Sequence, residues 1–165
     1  MLGRLRARDR EPSPPRWDPG RELRAERRAR ELLRSMVSDE DATMYEQLGF
    51  ISFPGNADPD SGYAYLVYPH RPLIAYDTQT DELLSEYCVG FPDTAECELG
   101  ERLPDADDVL AKWIALSSGE RDLVATANMH LPGRQIDPGH MRRDLIRLRE
   151  WRGARARADL DSRTP

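Results

Sequence analysis

The chain has 165 residues with a formal net charge of −6, and 33% of its residues are charged while 39% are hydrophobic. This length suits one domain with its own hydrophobic core. The longest apolar run, residues 63–68, is far shorter than the ~20 residues of a membrane-spanning helix. No apolar stretch follows the basic N-terminus, so we expect no secretory signal and a cytoplasmic location. Two cysteines are too few for a disulfide scaffold.

Charge divides the chain into three segments. Residues 1–34 contain eleven arginines and six acidic residues, residues 35–133 contain nineteen acidic and four basic residues, and residues 134–165 contain nine arginines and five acidic residues. Asymmetry on this scale indicates segments that face different partners or face each other. All but one of the 24 basic residues are arginine. Arginine suits forked contacts to carboxylate and phosphate, but a GC-rich genome would also produce this excess.

The same division predicts the organisation of the chain. Residues 1–17 contain three prolines and little to bury, which is typical of a disordered lead-in. Residues 18–37 form a basic amphipathic helical arm, beginning with Asp18 as an N-cap and Pro19 at the first helical position. Residues 38–133 form an acidic α+β domain. Residues 134–165 form a second basic amphipathic helix with a frayed tail.

The acidic domain is predicted to contain a short antiparallel meander between helices. Its first helix follows the cap at Ser38 and ends at Gly49. Short β-forming runs separated by turn residues predict a meander of about four strands: 50–53, 63–68, 73–77 and 82–89. After a long acidic loop, one helix runs from about residue 104 to Gly119 and another from about residue 120 to Met129. The fold class is therefore α+β, with N-terminal helices, a meander and C-terminal helices.

Each arm has an apolar face at helical spacing. In the first arm that face comprises Ala25, Ala29, Leu32, Leu33, Met36 and Val37. In the second arm, Asp137-Pro138-Gly139 repeats the opening Asp18-Pro19-Gly20, which we interpret as shared capping chemistry. The narrow apolar seam that follows comprises Met141, Leu145, Leu148 and Trp151. Arginines occupy most of the remaining surface of both helices, so each arm can pack on its own domain or dock elsewhere.

Segments 29–33, 45–50, 87–89, 103–110 and 125–128 carry a resemblance to known sequences. In them the chain resembles a group of small bacterial domains that are common in high-GC genomes. The resemblance covers residues 29–128, which leaves out the second arm and the N-terminal half of the first. It implies the helix–sheet–helix organisation described above. It implies no activity and supplies no functional residues.

No catalytic chemistry emerges from the sequence. There are three histidines to serve as proton shuttles near neutral pH, and no serine lies in a Gly-x-Ser-x-Gly motif. Neither a Gly-x-Gly-x-x-Gly motif nor a phosphate loop occurs. We therefore assign neither an enzymatic activity nor a cofactor, and no small molecule is indicated.

Two groups of residues are candidate metal ligands. Cys88 and Cys97 lie nine positions apart, wider than the usual spacing of zinc-binding pairs, and a buried thiol is the simpler interpretation of Cys88. Asp105 and Asp108 offer the oxygen ligands that hard cations take. Both aspartates also stand at a predicted helix start, where the helix dipole favours acids without a metal.

The arms provide the leading functional hypothesis, a non-enzymatic interaction or assembly module that binds a protein partner or a second copy of itself. The residues predicted to make the contact are Arg24, Arg27, Arg28, Arg142, Arg143, Arg147 and Trp151. One alternative is a nucleic-acid-associated protein whose arginines bind phosphates. Another is a small metal-dependent enzyme that uses the acidic residues near Asp105.

Overall fold

The computed structural model describes residues 18–90 and 103–162. In this part of the chain two helices precede four strands, a long helix and a short strand follow, and a last helix completes the order. The helices and strands have these bounds: α1 Arg21–Met36, α2 Asp39–Leu48, β1 Ile51–Pro54, β2 Tyr63–Val67, β3 Leu73–Asp77, β4 Leu83–Cys88, α3 Asp105–Thr126, β5 Asn128–His130 and α4 Pro138–Ser162. No helix in the two described ranges has the length and hydropathy needed to cross a membrane.

The strands form one antiparallel sheet in the order β1-β2-β3-β4-β5. Tyr65 faces Ala75 and Leu66 faces Ile74 across the central pair. Residues 55–62 form a loop with one 3-10 turn between β1 and β2, and five residues join each of the next two strand pairs, as is possible where consecutive strands pair antiparallel. The predicted α+β class, with helices on either side of an antiparallel meander in the chain, is confirmed. The sheet has one strand more than the roughly four that the sequence predicts.

The additional strand corrects the prediction that a helix continues to Met129. Helix α3 ends at Thr126, and residues Asn128–His130 pair with β4, placing Asn128 opposite Cys88 and His130 opposite Glu86. This strand is only three residues long and has no alternation of apolar and polar residues. Its pairing depends on the backbone groups along the free edge of β4, which local sequence patterns do not reveal.

One face of the sheet packs against α1 and α3. Alternate residues of the strands point to this side, as the two-residue period of a strand requires, and include Phe53, Tyr65 and Ala75. Ala29 and Leu33 of α1 and Val109 and Leu110 of α3 are buried against them. Leu32 and Met36 of α1 were predicted to share the apolar face, but they are 49% and 50% exposed. Helix α1 is therefore anchored by a narrower face than its sequence predicts.

The opposite face of the sheet packs against α4. Leu66, Ile74 and Tyr76 point to this side, and Met44 of α2 closes one end. All four residues of the predicted seam of α4 are buried in this second core: Met141, Leu145, Leu148 and Trp151. The sheet is thus covered on both faces, and each of the two arginine-rich helices shares a hydrophobic core with the acidic segment.

The Asp-Pro-Gly sequences at residues 18–20 and 137–139 do not begin and cap their helices in the same way. Helix α4 begins at Pro138, and the carboxylate of Asp137 accepts hydrogen bonds from the backbone N–H groups of Gly139 and His140 at 3.2 and 2.9 Å. Helix α1 begins only at Arg21, and its N-cap is Gly20 with φ = 121° and no side-chain cap. The prediction that Asp18 caps a helix starting at Pro19 is wrong, because the chain turns at Gly20 in a conformation that only glycine adopts readily.

A polar tether joins α3 to the turn between β2 and β3. The only lysine of the chain, Lys112, is 3% exposed. Its Nζ donates to the carbonyl oxygens of Tyr68 and Arg71 at 2.9 and 2.8 Å and to Asp108 Oδ2 at 2.5 Å. A buried ammonium group is tolerated because all of its three protons find acceptors. Lys112 therefore stabilises the fold. The sequence alone gave no explanation for a single lysine among so many arginines.

Candidate functional site

The predicted contact residues of α1 lie on its solvent-facing side. Ala29 and Leu33 hold the opposite side in the first core, so Arg24, Arg27 and Arg28 are exposed. Arg24 makes an ion pair with Asp18. Arg27 and Arg28 have no ion-pair partner among the described residues. Their charges are therefore not neutralised by a close contact within residues 18–90 and 103–162.

The predicted arginines of α4 also differ in whether an acidic side chain lies close to them. Arg147 donates to Asp144 Oδ1 at 2.8 Å and to the carbonyl oxygen of Leu48 at 3.1 Å, which ties α4 to the end of α2. Arg143 lies 3.9 Å from an oxygen of Asp137. Arg142 is exposed, and no acidic side chain of the described ranges lies within ion-pair distance of it.

Trp151, the one aromatic residue among the predicted contacts, lies in the second core. Its ring is 9% exposed and its Nε1 donates to Gln47 Oε1 at 2.6 Å. The guanidinium of Arg155 covers the ring at 4.9 Å from its centroid, a distance at which a cation–π contact is favourable. These contacts secure α4 to α2 and leave little of the ring for a partner.

Other arginines of the same helices are already paired within the chain. On α1, Arg30 Nε lies 2.7 Å from Glu26 Oε1, and this contact raises the pKa of the Arg30 guanidinium. Arg34 pairs with Glu46 of α2. On α4, Arg149 pairs with Asp81 in the turn between β3 and β4. Each helix thus carries both paired arginines and arginines whose charge faces solvent.

The arginines of α1 and α4 form two separate surfaces. Helix α1 lies on the face of the sheet that carries Tyr65, and α4 lies on the face that carries Leu66. Successive residues of a strand point to opposite faces of a sheet. We call the exposed arginines Arg27 and Arg28 the α1 basic surface, and Arg142 with Arg143 the α4 basic surface. The sheet separates the two.

The candidate metal ligands that lie in the described ranges are engaged in other contacts. Asp108 accepts hydrogen bonds from Lys112 and from the backbone N–H of His70 at 2.7 Å, and Asp105 Oδ1 lies 3.0 Å from His70 Nε2. Cys88 ends β4 as a half-buried thiol, and Cys97 lies outside the described residues. Within the described ranges, no three His, Cys, Asp or Glu side chains are grouped in a way that could hold a metal ion.

Carboxylates of α3 and α4 accept hydrogen bonds from tyrosines on both faces of the sheet. Glu120 of α3 accepts from the hydroxyls of Tyr63 and Tyr65, each at 2.7 Å. Asp144 of α4 accepts from the hydroxyl of Tyr68 at 2.8 Å. Burial first, and the carboxylate second, raises the pKa of Tyr63 to about 12 and raises the pKa values of Tyr65 and Tyr68 as well.

A polar cleft that the sequence analysis did not anticipate lies between α2, the β1 edge and the C-terminal half of α4. Ser52, Tyr76 and Arg152 contribute to its lining. These residues come from β1, β3 and α4, so one hundred positions separate the first from the last. A serine in a strand and one arginine among many carry no local signal of such a site, and only the packing of α4 on the sheet brings them together.

Comparisons with protein families, with curated proteins and with solved structures found no match to this chain. The function must therefore be argued from the geometry of the molecule itself.

Proposed function

We propose that this protein is a non-enzymatic interaction module that binds acidic protein surfaces through its α1 and α4 basic surfaces. The observation that carries the proposal is that Arg27, Arg28 and Arg142 face solvent with no acidic partner in the described chain, although neighbouring arginines of the same helices are paired. An arginine fork is well suited to bidentate contacts with carboxylates.

Rigid presentation supports the proposal. Both helices are held by buried apolar residues, two on α1 and four on α4. The backbone beneath the arginines is therefore ordered before a partner arrives, so less conformational entropy is lost on binding. The two surfaces lie on opposite sides of the sheet, which suits a module that bridges two acidic partners or two copies of this acidic chain.

The same arrangement favours a protein partner over nucleic acid. A phosphate backbone is bound best by a continuous basic track, whereas here a five-stranded sheet separates the two basic surfaces. Residues 35–133 carry nineteen acidic residues against four basic ones, and this charge repels a long, uniformly charged phosphate backbone more than a local acidic patch that meets a single basic surface. Nucleic-acid binding through the arms is kept as the alternative that the experiment must distinguish.

The experiment uses photo-crosslinking in the cells that make the protein. A photoreactive residue is placed at Arg27, at Arg142 or, as a control, at the exposed turn residue Thr80. Crosslinked species are isolated with and without nuclease and identified by mass spectrometry. We expect nuclease-resistant protein adducts from the two helix positions and none from Thr80. Adducts that disappear with nuclease, or equal labelling from all three positions, would reject the proposal.

Matched charge variants test the contact directly. Arg27→Gln/Arg28→Gln removes the two unpaired charges of α1, whereas Arg30→Gln/Arg34→Gln removes two charges that are already paired with Glu26 and Glu46. Both variants change the net charge equally. We expect the first to weaken recovery of the crosslinked partner about tenfold or more, and the second to leave it within about twofold. Equal losses would indicate a general charge effect.

A further inference from the structure

A cleft of ≈ 360 Å³ opens where α2, the segment after β1 and the C-terminal half of α4 meet. Its walls include the apolar side chains of Met44, Pro54 and Pro59. Small-molecule sites span about 300–1,000 Å³, with apolar walls and a few placed polar groups. The cleft therefore has the dimensions for a ligand of the size of an amino acid. It lies apart from the basic surfaces described above.

One group of hydrogen-bond donors converges on this cleft. Arg152 Nη2 donates to Ser52 Oγ at 3.3 Å, and Ser52 Oγ lies 2.9 Å from the hydroxyl of Tyr76. Ser52 and Tyr76 are 5% and 3% exposed. Ser52 Oγ accepts from Arg152, and either oxygen of the Ser52–Tyr76 pair can be the donor, so when the serine donates, the phenol proton of Tyr76 is available to a ligand. Burial raises the pKa of Tyr76 and keeps this phenol protonated.

Arg152 itself retains donor capacity. Within the described ranges no carboxylate lies within ion-pair distance of its guanidinium. A guanidinium has five N–H donors, and its contacts with Ser52 and Tyr76 leave several of them for a ligand. An arginine and a tyrosine hydroxyl at a buried serine are well suited to hold a carboxylate.

Acidic side chains line the same cleft. Glu40 and Asp41 come from the first turn of α2. Asp41 Oδ2 accepts a hydrogen bond from Trp113 Nε1 at 3.3 Å, which fixes the side chain. Glu40 is exposed and has no ion-pair partner among the described residues. The cleft therefore presents one positive and two negative side chains.

We propose that this cleft binds a small zwitterion of the α-amino-acid class. Its carboxylate is held by Arg152 and Tyr76, and its ammonium group by Glu40 and Asp41. A simple anion is repelled by the two acidic side chains, and a simple cation is repelled by the guanidinium. A molecule that carries both charges is attracted at both ends, so its electrostatic interaction with the cleft is more favourable than that of either simple ion. The apolar walls at Met44, Pro54 and Pro59 contact the side chain of the ligand.

The first test titrates the full-length, isotope-labelled protein with each free L-amino acid at up to about 10 mM, which detects a millimolar Kd. Backbone amide shifts are the measurement. We expect at least one amino acid to shift the resonances of residues in β1, β3 and the start of α2. The same amino acid with its amine acetylated, or with its carboxylate converted to an amide, should bind about tenfold more weakly or not at all. Absence of a response to every amino acid overturns the proposal.

Matched variants identify the site. Arg152→Gln removes the guanidinium of the cleft, whereas Arg157→Gln removes the same charge from the exposed end of the same helix. We expect Arg152→Gln to raise the Kd about tenfold or more, equivalent to ~1.4 kcal/mol, and Arg157→Gln to leave it unchanged. Binding that tolerates Arg152→Gln, or that is equally tight for the acetylated ligand, would contradict a zwitterion site here. A Tyr76→Phe variant, which keeps the ring, should weaken binding without unfolding the protein.

Discussion

Helices α1 and α4 are both rich in arginine and each has an Asp-Pro-Gly sequence at its N-terminal end, yet they are held to the domain very differently. Helix α4 covers one face of the sheet and buries four apolar residues together with the carboxylate of Asp144. Helix α1 shares its face with α3 and buries only Ala29 and Leu33. Similar composition therefore does not imply similar anchoring, because the number of neighbouring elements decides how wide a face a helix must bury.

This difference in anchoring also decides which arginines are unpaired and exposed, and so can contact a partner. On α4, the buried Asp144 holds Arg147 beside the sheet, and Trp151 is covered by Arg155. On α1, the outward residues Arg27 and Arg28 lie on a helix that two buried residues anchor and whose leucine and methionine side chains are partly exposed. We therefore expect α1 to tolerate surface changes that α4 does not.

The largest expected effect is that of shortening a buried residue of α4. Leu145 is 2% exposed, and Leu145→Ala should lower the free energy of unfolding by about 2–5 kcal/mol through lost burial and a cavity. Leu32→Ala on α1 should cost less than about 1 kcal/mol, because half of that side chain already contacts water. Urea denaturation measures both. Similar losses from the two variants would show that the helices are anchored alike.

A smaller difference is expected for the acidic side chains on the two helices. Asp144→Ala leaves the buried hydroxyl of Tyr68 without its acceptor and should cost about 1–3 kcal/mol. Glu26 pairs with the exposed Arg30 and also accepts from the backbone N–H of Ala106 at 3.3 Å. Glu26→Ala should cost about 0.2–1 kcal/mol. Urea denaturation again provides the measurement, and a larger loss from Glu26→Ala would reverse the comparison.

Much of the fold follows from local sequence patterns. Strong β-formers between turn residues predict β2 and β3, with β3 matching its predicted bounds at residues 73–77. The spacing of Met141, Leu145, Leu148 and Trp151 predicts the buried seam of α4, because α4 is the long helix of the described ranges that packs on its face of the sheet. The face of α1 is predicted too wide, since periodicity does not reveal that α3 takes part of the same surface.

The candidate sites are harder to predict from the sequence than the fold is. Charge counts identify the arginine-rich helices, but whether an arginine is paired depends on residues as distant as Asp81, the partner of Arg149. The cleft at Ser52 and Arg152 depends on contacts across one hundred positions, and no short motif encodes it. Strand β5 was missed for a related reason, because its pairing is supplied by the edge of β4.

The next prediction separates the two Asp-Pro-Gly openings. Asp137→Ala removes the acceptor for two backbone N–H groups at the start of α4 and should cost about 0.5–2 kcal/mol. Asp18→Ala removes only an exposed ion pair with Arg24, so we expect a loss below about 0.5 kcal/mol. Thermal unfolding of the two variants beside the unchanged protein provides the measurement. An equal loss would mean that Asp18 caps α1 after all.

An effect at neutral pH smaller than that of Asp137→Ala is expected from a contact found on both sides of the sheet, a tyrosine hydroxyl that donates to a helical carboxylate. The pKa of Tyr63 is raised from 10.0 to about 12 in the folded protein, first by burial and then by Glu120. The folded state therefore retains a proton that the unfolded state releases above pH 10. This contribution to stability is complete below that pH and is lost as the pH rises toward 12.

Tyr63→Phe removes this proton and keeps the ring. Near neutral pH it should cost about 0.5–1.5 kcal/mol for the lost hydrogen bond, since Glu120 keeps its bond from Tyr65. Above about pH 10 the variant should lose stability less steeply than the unchanged protein, because one fewer proton is released on unfolding. Urea denaturation across this pH range measures the slopes. Tyr68→Phe, on the α4 side of the sheet, should flatten the slope of unfolding free energy against pH in the same way. Parallel slopes for the unchanged protein and both variants would show that the raised tyrosine pKa values do not contribute to alkaline unfolding.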